Sequence, residues 1–418
     1  MKPFIVEYKS YYQSADCSIL DKIERYSGYL EDHEEKKMNF FLKSPLLSGC
    51  ENSSTIYDRH SSDNRQMTMF GSNNYLGLST VPEVREAGIE AIEKYGVGSG
   101  GVPLFSGTHI LQQKLEQKIA ALKGCEDSMV FSSGYAANIG TVTGLIRPNN
   151  LIVHDRLNHS SLLDGSALTG AKFVRYLHNS PLSLEKTLEE NHETYPDGMI
   201  VITDGVFSMD GDVASLPEII EIAKKYNALV MIDDAHATGV IGHKGAGTKS
   251  HYSLTDGVDI VSGTLSKAIG AVGGFVASTK KIINYLRLYA RSNMYSTALP
   301  PSVCASAIAA IDYMQTSERV EQLKQNYTYV SENLSKLGYS TGKTESAIIP
   351  MMIGDEATIS LMARDFFEND IFVNAVFHPA VPPKQSRFRI SVMATHTKEQ
   401  LDRFLNVADK LGKKYKII

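Results

Sequence analysis

Short apolar runs alternate with helical patterns through the middle of the chain. Each run is followed within a few residues by Gly, Asp or Ser, and usually then by apolar residues at helical spacing. The runs span residues 128–132, 151–154, 172–176, 199–203, 228–232, 259–262 and 273–277. Continuous apolar strands between helices predict an α/β fold with a mostly parallel sheet covered on both faces. Ligands of such sheets bind at the carboxyl ends of the strands.

The first 66 residues follow another pattern. They are rich in Tyr, Glu and Lys, and a polar stretch runs from residue 51 to residue 66. We predict a helical N-terminal arm followed by a loop, packed on the main body or on a partner subunit. A poorly ordered tail is the alternative, and the apolar pair Leu46-Leu47 counts against it.

A third pattern begins near residue 300. Its apolar runs lie at 348–353, 371–377 and 388–393. A final helix follows, and it opens with the capping box Thr397-x-x-Gln400. We therefore expect a small α+β domain in this part. The predicted division of the chain is an N-terminal arm over 1–66, a large domain over 67–299 and a small C-terminal domain over 300–418.

Composition narrows the class of protein. The 418 residues are 43% hydrophobic and 21% charged, as in ordinary soluble globular proteins. A net charge of −5 argues against an electrostatic nucleic-acid binder. The four cysteines form no CxxC pair, and no His, Asp or Glu cluster has metal-ligand spacing. We therefore expect neither a metal site nor a disulfide framework.

These features favour a protein of the reducing cytoplasm. The N-terminus lacks the apolar core of a signal peptide. No apolar stretch approaches the roughly 20 residues that a membrane span needs. Peripheral contact with the inner membrane stays open.

Two strand ends carry the residues of a candidate cofactor site. The fifth apolar run leads into Asp233-Asp234-Ala235-His236, and Lys267 lies among small hydroxyl residues roughly thirty residues later. A lysine alone is most simply a surface residue, but Lys is rare in apolar surroundings unless it is paired or reactive. Together these residues suit pyridoxal 5'-phosphate (PLP). The Lys267 amine can join the aldehyde, Asp233 can keep the pyridine nitrogen protonated, and His236 can approach the ring oxygen.

A Gly-rich turn between a strand and a helix provides a candidate phosphate site. Small residues leave backbone N–H groups available at a helix N-terminus, where the helix dipole favours an anion. Many such turns are purely structural, so the turn alone decides little. The candidate phosphate ligands are Ser133, Gly134 and Tyr135 in this turn, the hydroxyls of Thr264 and Ser266, and Thr297 from across a dimer interface.

Two further residues each have two interpretations. His159 follows another strand, where it can stack on a flat cofactor or be an ordinary surface residue. Arg389 lies in an apolar strand pattern, where it is either a residue of the polar face or a fork for a substrate carboxylate. The residues alone leave both choices open.

Several ordered motifs resemble those of the α-oxoamine synthases, a family within the fold-type I PLP enzymes. The motifs are SNNYLGL (72–78), SGT (106–108), NHSS (158–161), TDGVFSMDGD (203–212), DDAH (233–236), GTLSK (263–267) and FRI (388–390). The resemblance runs from about Phe70 to the C-terminus. It is nearest to the branch of bacterial serine palmitoyltransferases.

This resemblance implies a fold and a reaction. The fold would be that of a fold-type I PLP-dependent transferase, acting as a homodimer with active sites shared between subunits. The reaction would be the decarboxylative condensation of an amino acid with an acyl-CoA or acyl-carrier-protein thioester. The branch implies serine and a long-chain acyl thioester, which give a 3-keto sphingoid-type aminoketone.

The resemblance also implies roles for single residues. Lys267 would carry the cofactor and act as acid and base, and His159 would stack on the ring. Asp233 would bind the pyridine nitrogen, and His236 the ring oxygen. The other implied contacts are Ser133, Gly134, Tyr135, Ser208, Thr264, Ser266 and Thr297 with the cofactor, and Asn74 and Arg389 with the substrate.

Two departures from the family pattern concern substrate choice. Pro103 stands where members usually have an Arg, and Gln112 stands where palmitoyltransferases often have a His. Sister activities are therefore alternatives: glycine C-acetyltransferase, 8-amino-7-oxononanoate synthase, cysteate acyltransferase or an aminoketone signal synthase. A PLP aminotransferase is the alternative from another class. A non-catalytic subunit is disfavoured because Lys267 is present.

Overall fold

The computed structural model describes residues 18–36, 44–196 and 198–418. In chain order the strands are β1 (Ser53–Asp58), β2 (Asp63–Met69), β3 (Asp127–Phe131), β4 (Leu151–Asp155), β5 (Lys172–Tyr176), β6 (Met199–Asp204), β7 (Leu229–Asp233), β8 (Ile260–Thr264), β9 (Gly274–Ser278), β10 (Ile348–Gly354), β11 (Ile371–Phe372), β12 (Asn374–Val376) and β13 (Ser386–Ser391). The α-helices are α1 (Ile19–Glu35), α2 (Pro82–Tyr95), α3 (Ile110–Lys123), α4 (Gly134–Leu145), α5 (Ser160–Thr169), α6 (Pro181–Glu189), α7 (Leu216–Lys225), α8 (Thr248–His251), α9 (Lys280–Tyr289), α10 (Arg291–Met294), α11 (Pro301–Thr316), α12 (Arg319–Leu337), α13 (Glu356–Glu368) and α14 (Lys398–Tyr415).

A seven-stranded sheet forms the centre of the compact unit Asn73–Lys324. Its order is β3-β9-β8-β7-β6-β4-β5. Strand β9 points in the direction opposite to the other six strands of this sheet. Every residue of β4, β6 and β8 is buried, because helices cover both faces of the sheet. The sheet confirms the seven predicted strands and the mostly parallel α/β fold.

The carboxyl ends of six strands lie at one edge of the sheet, and five of them carry or precede the candidate residues. Strands β4, β6, β7 and β8 are mutually parallel, and β3 points the same way because β9 pairs antiparallel with both β3 and β8. The residues at these ends are Phe131, Asp155, Asp204, Asp233 and Thr264. The candidate cofactor residues of the large sheet, which lie at or just after these strand ends, are therefore found along a single edge of the sheet.

The unit built on this sheet extends beyond the domain end predicted at residue 299, since its last residue is Lys324. Helix α11 belongs to it because α11 packs along α2 and α3. Ser306 in α11 donates a hydrogen bond to the carbonyl of Val84 in α2. The packing of α11 on these two helices explains the difference between the predicted and the observed end of the unit. A local sequence pattern cannot show such packing between distant segments.

The other unit contains the described residues up to Ser72 together with Gln325–Ile418. Strands β1 and β2 form an antiparallel hairpin, and β11 adds to β2 in parallel. The loop predicted over residues 51–66 was therefore wrong. Its polar side chains lie on a hairpin whose other face buries Ile56, Met67 and Met69 against Phe367.

A second sheet of this unit has the order β10-β13-β12 and is antiparallel. The apolar run 371–377, expected as one strand, is divided between two sheets: β11 pairs with β2, whereas β12 pairs with β13. Two helix predictions are confirmed. The described part of the N-terminal arm contains α1, and the capping box of Thr397 and Gln400 begins α14.

A buried ion pair joins the end of α3 to the residue that follows β7. Lys123 Nζ lies 2.8 Å from Asp234 Oδ2, and each side chain is only 1% exposed. The same ammonium group donates to Thr238 Oγ1 and to the carbonyl of Ala246. Asp234 also accepts a hydrogen bond of 2.7 Å from the hydroxyl of Thr248. These contacts fix the backbone immediately after Asp233.

We expect Lys123→Met to lower the free energy of unfolding by about 3–5 kcal/mol, because the buried Asp234 carboxylate would lose its charged partner. Lys118→Met is the matched control. Lys118 lies in the same helix and pairs with Asp312, whose side chain is 55% exposed, so its loss should cost less than about 1 kcal/mol. Urea denaturation and thermal melting of both variants measure the difference. Equal losses would contradict the importance of the buried pair.

Candidate cofactor site

A cavity of about 270 Å³ lies at the carboxyl edge of the large sheet. Its volume is near the lower limit, about 300 Å³, of typical small-molecule sites. Nine residues chosen from the sequence line it: Ser133, Gly134, Tyr135, His159, Asp233, His236, Thr264, Ser266 and Lys267. The tertiary structure thus brings these nine residues together from the ends of four strands, β3, β4, β7 and β8.

Asp233 ends β7 and is 5% exposed. Its Oδ1 accepts the N–H of Ala235 at 2.9 Å, and its Oδ2 accepts the side-chain amide of Asn138 at 2.6 Å. Asn138 Nδ2 also donates to Ser161 Oγ at 2.9 Å. Two N–H donors therefore stabilise a buried carboxylate and fix its direction at the cavity wall.

Asp204 pairs with Asp233 in the register of β6 and β7. Its side chain lines the cavity, is almost fully buried, and accepts the backbone N–H of His159 at 3.2 Å. Burial, and next the negative charge of Asp233, raise the pKa of Asp204 well above its ordinary value. The arrangement therefore favours a protonated Asp204 beside the Asp233 carboxylate.

Two histidines stand on different sides of this acid pair. His159 caps α5, with Nδ1 at 2.7 Å from the hydroxyl of Ser161. Desolvation lowers the pKa of His159, Lys267 adds to this effect, and Asp233 opposes it. His236 is 7% exposed, and its Nδ1 lies 2.9 Å from the hydroxyl of the fully buried Tyr75. Both rings are thus held by local hydrogen bonds.

An anion site is built at the start of α4. Ser133 caps this helix by accepting the N–H of Ala136 at 3.0 Å, and the first N–H groups of a helix have no acceptor within it. A Cβ atom on Gly134 would come within 2.9 Å of Thr264 Cβ, so glycine keeps this approach open. The hydroxyls of Thr264 and Ser266 lie 2.8 Å apart beside it.

These groups fit PLP. The half-buried Lys267 supplies an amine for the aldehyde, Asp233 supplies a carboxylate for the pyridine nitrogen, and the start of α4 supplies donors for the phosphate. Within the described ranges no group of His, Cys, Asp and Glu could hold a metal ion. No helix there is long and apolar enough to cross a membrane.

Four residues chosen from the sequence do not line this cavity, and their roles stay predictions. Ser208 is half-buried in the turn after β6, and Thr297 is exposed before α11. Asn74 is buried and donates to Ser79 Oγ at 2.8 Å. Arg389 lies in β13 of the other compact unit, is 6% exposed, and donates to Ser391 Oγ at 2.8 Å.

Sequence reasoning missed five lining residues: Asn138, Ser161, Asp204, Val206 and Ala235. A signal existed for two of them. Asn138 lies four residues after Gly134, which places it one turn along the helix that holds the phosphate site. Asp204 follows an apolar run in the same way as Asp233.

Gln112 and Pro103, the two residues that depart from the family pattern, lie in different surroundings. Gln112 is 1% exposed, donates to Glu116 Oε1 at 3.2 Å, and is not among the residues that line the cofactor cavity. Pro103 begins the turn Pro103–Gly107 and lines a second cavity of about 490 Å³ together with Arg287.

Comparison with known proteins gives the family. Residues 65–407 match the family model for aminotransferase class I and II. An 8-amino-7-oxononanoate synthase from Thermoanaerobacter pseudethanolicus is 42% identical over 386 residues, which cover 92% of this chain and 96% of the relative. A serine palmitoyltransferase from Sphingomonas wittichii superposes with a TM-score of 0.90 at 30% identity, covering 96% of this chain and 100% of that one.

A solved 8-amino-7-oxononanoate synthase from Francisella tularensis gives a TM-score of 0.72 at 27% identity, covering 84% of this chain and 99% of that chain. The match to relatives of known activity is nearly full length. The fold, cofactor and reaction class of these relatives therefore agree with a cavity whose residues fit PLP. The chain belongs to the α-oxoamine synthases, the fold-type I enzymes that use PLP to condense an amino acid with an acyl thioester.

Proposed function

We propose that this enzyme condenses L-alanine with a pimeloyl thioester, releases CO₂ and the thiol carrier, and yields 8-amino-7-oxononanoate. The observation that carries the proposal is the 42% identity to an 8-amino-7-oxononanoate synthase over 92% of the chain. The solved serine palmitoyltransferase shares only 30%. The sister activity, first considered as an alternative to serine and a long-chain acyl group, is therefore the better supported.

The atoms of this product balance. The seven carbons of the pimeloyl group supply the acid and the 7-oxo carbon. The two carbons that remain of alanine after loss of its carboxyl group supply C8, which carries the amine, and the terminal methyl group. One C–C bond forms at the alanine Cα, the thioester C–S bond breaks, and the carboxyl C–C bond breaks with release of CO₂.

The cavity residues have separate tasks in this proposal. Bound PLP supplies an electron sink for negative charge at the amino acid Cα. Lys267 holds the cofactor and moves the proton at Cα, and Asp233, directed by Asn138, keeps the pyridine nitrogen protonated. His159 would stack on the ring and His236 would contact its oxygen. The first turn of α4, with Thr264 and Ser266, holds the phosphate.

Further residues predicted from the sequence complete the proposal. Asn74 and Arg389 are our candidates for contacts with the substrate, Arg389 with its carboxylate, and Ser208 is a further candidate for contact with the cofactor. We also propose a cytoplasmic homodimer in which Thr297 reaches the cofactor of the other subunit. Exposed large aromatic side chains support an interface with another subunit: Tyr295, two residues before Thr297, is 70% exposed, and Phe105 is 88% exposed.

Serine with palmitoyl-CoA is a second candidate. It is favoured by the TM-score of 0.90 to a serine palmitoyltransferase that the chain covers completely. The two candidates differ at both substrates. Alanine lacks the serine hydroxyl, and the pimeloyl group ends in a carboxylate whereas the palmitoyl chain is apolar throughout. An aminotransferase would need a keto-acid acceptor and would release neither CO₂ nor a thiol.

We expect Lys267→Ala to lose the visible absorption band of the bound cofactor and to lower the condensation rate by roughly 10³-fold or more, because the amine that holds PLP and moves the proton is gone. Lys280→Ala is the control, since Lys280 is an exposed lysine at the start of α9. Absorption spectra and release of free thiol report the two effects. A colourless wild-type protein would falsify the cofactor assignment.

A panel of substrates tests the specificity. We expect alanine with pimeloyl-CoA or a pimeloyl carrier protein to exceed serine with palmitoyl-CoA by at least about tenfold in kcat/KM, the scale on which pockets separate such side chains. Free thiol and CO₂ are measured for each pair. Faster turnover of serine and palmitoyl-CoA would establish the second candidate instead, and amino transfer without CO₂ would exclude both.

A further inference from the structure

His178 lies outside the cavity and bridges two carboxylates. It follows β5, with Nδ1 at 3.0 Å from Asp155 Oδ1 and Nε2 at 3.0 Å from Asp212 Oδ2. Its side chain is 27% exposed, and those of Asp155 and Asp212 are 0% and 12% exposed. Only a protonated imidazole can donate from both ring nitrogens, so the contacts describe an imidazolium between two anions.

The first carboxylate controls the segment that carries His159. Asp155 ends β4, its Oδ1 accepts the N–H of Leu157 at 2.8 Å, and its Oδ2 accepts the N–H of Asn179 at 2.7 Å. Asn158 then donates to the carbonyl of Ile202 at 2.7 Å. The chain therefore turns at Asp155 into a short segment that places His159 at the cavity.

The second carboxylate controls the loop after β6. Asp212 lies on this loop, whose Val206 lines the cavity and whose Phe207 N–H donates to the Asp212 carbonyl at 3.0 Å. The Phe207 ring packs edge-on against the His178 ring, with centroids 4.4 Å apart. Asn179 adds a hydrogen bond of 2.9 Å to the carbonyl of Val213. The loop is thus held from the end of β5.

We propose that His178 is a positioning residue of the α-oxoamine synthase site: by bridging Asp155 and Asp212 it holds the segment of His159 in register with the loop of Val206. The proposal depends on the family assignment and on the cavity as the reacting site, but not on which amino acid or acyl group is used. A misplacement of about 1 Å at a reacting site can cost on the order of 100-fold in rate, so such a bridge matters for turnover.

Hydrogen exchange with the cofactor-loaded protein tests the bridge without any substrate. In His178→Gln we expect amide exchange to become about tenfold faster or more in residues 155–160 and 205–214, and to stay unchanged in α4. His192→Gln is the control, because His192 is half-buried like His178, but its Nδ1 hydrogen-bonds the backbone carbonyl of Glu189 and it bridges no carboxylates of the described residues. Unchanged exchange in the two segments, or an equal increase throughout the unit, would overturn the proposal.

Kinetics separate positioning from simple stabilisation. Well below the melting temperature, His178→Gln should lower kcat by roughly tenfold to a hundredfold while PLP stays bound, as its absorption shows. If this variant does not fold, Asp212→Asn removes the negative charge at one end of the bridge only. It should speed exchange in residues 205–214 more than in 155–160. A folded variant with wild-type kcat, or exchange that rises equally in both segments of Asp212→Asn, would contradict the bridge.

The charge of the bridge has a pH signature. Burial lowers the pKa of His178, but hydrogen bonds to Asp155 and Asp212 and their negative charges outweigh it and raise the pKa to about 10, from 6.5. The bridge therefore stabilises the fold fully below pH 6.5, and this stability is lost as the pH rises toward 10. The difference in Tm between wild type and His178→Gln should shrink over that interval. A difference independent of pH would exclude the imidazolium.

Discussion

A carboxylate buried at the end of a strand is stable only when donors or a cation replace the water that it loses. Asp233 is such a group, and the rest of the site depends on it. The Asn138 side chain and the Ala235 backbone supply its two N–H donors, while the neighbouring Asp204 is favoured in its neutral form. An anion of fixed direction at the cavity wall is what a pyridinium nitrogen requires.

The backbone at this point is held from the opposite face of the sheet. Successive strand residues point to opposite sides, so Asp234 turns away from the cavity and meets Lys123. Because of this alternation, neighbouring residues of the tetrapeptide 233–236 contact the cofactor cavity and the protein core. His178 has a similar role farther along the edge, where it connects the end of β4 to the loop after β6. Electrostatic contacts outside the cavity thus stabilise the positions of groups inside it.

Reaction class and substrate choice depend on different parts of the chain. The condensation needs an amine, an acid and an anion site around one cofactor, and these come from strand ends of the large sheet. Substrate choice depends on groups that contact the amino acid side chain and the acyl chain. Gln112 does not line the cofactor cavity, whereas Pro103 lines the second cavity. The 42% identity to an 8-amino-7-oxononanoate synthase therefore carries the proposal of alanine and a pimeloyl thioester.

Local sequence was enough to specify the seven strands of the large sheet and to select Lys267, Asp233 and the turn at Gly134, which line one cavity. The reason is that a fully buried strand needs a continuous apolar run, whereas an exposed strand end tolerates polar groups. Contacts between residues far apart in the chain could not be predicted from local sequence. Asn138 donates to Asp233 although 95 residues separate the two in the sequence. The hairpin of β1 and β2 has one buried apolar face, but most residues of this segment are polar, so no clear strand pattern is visible in the sequence. Pairing across a sheet is set by register and packing between distant segments, and no short window of residues contains that information.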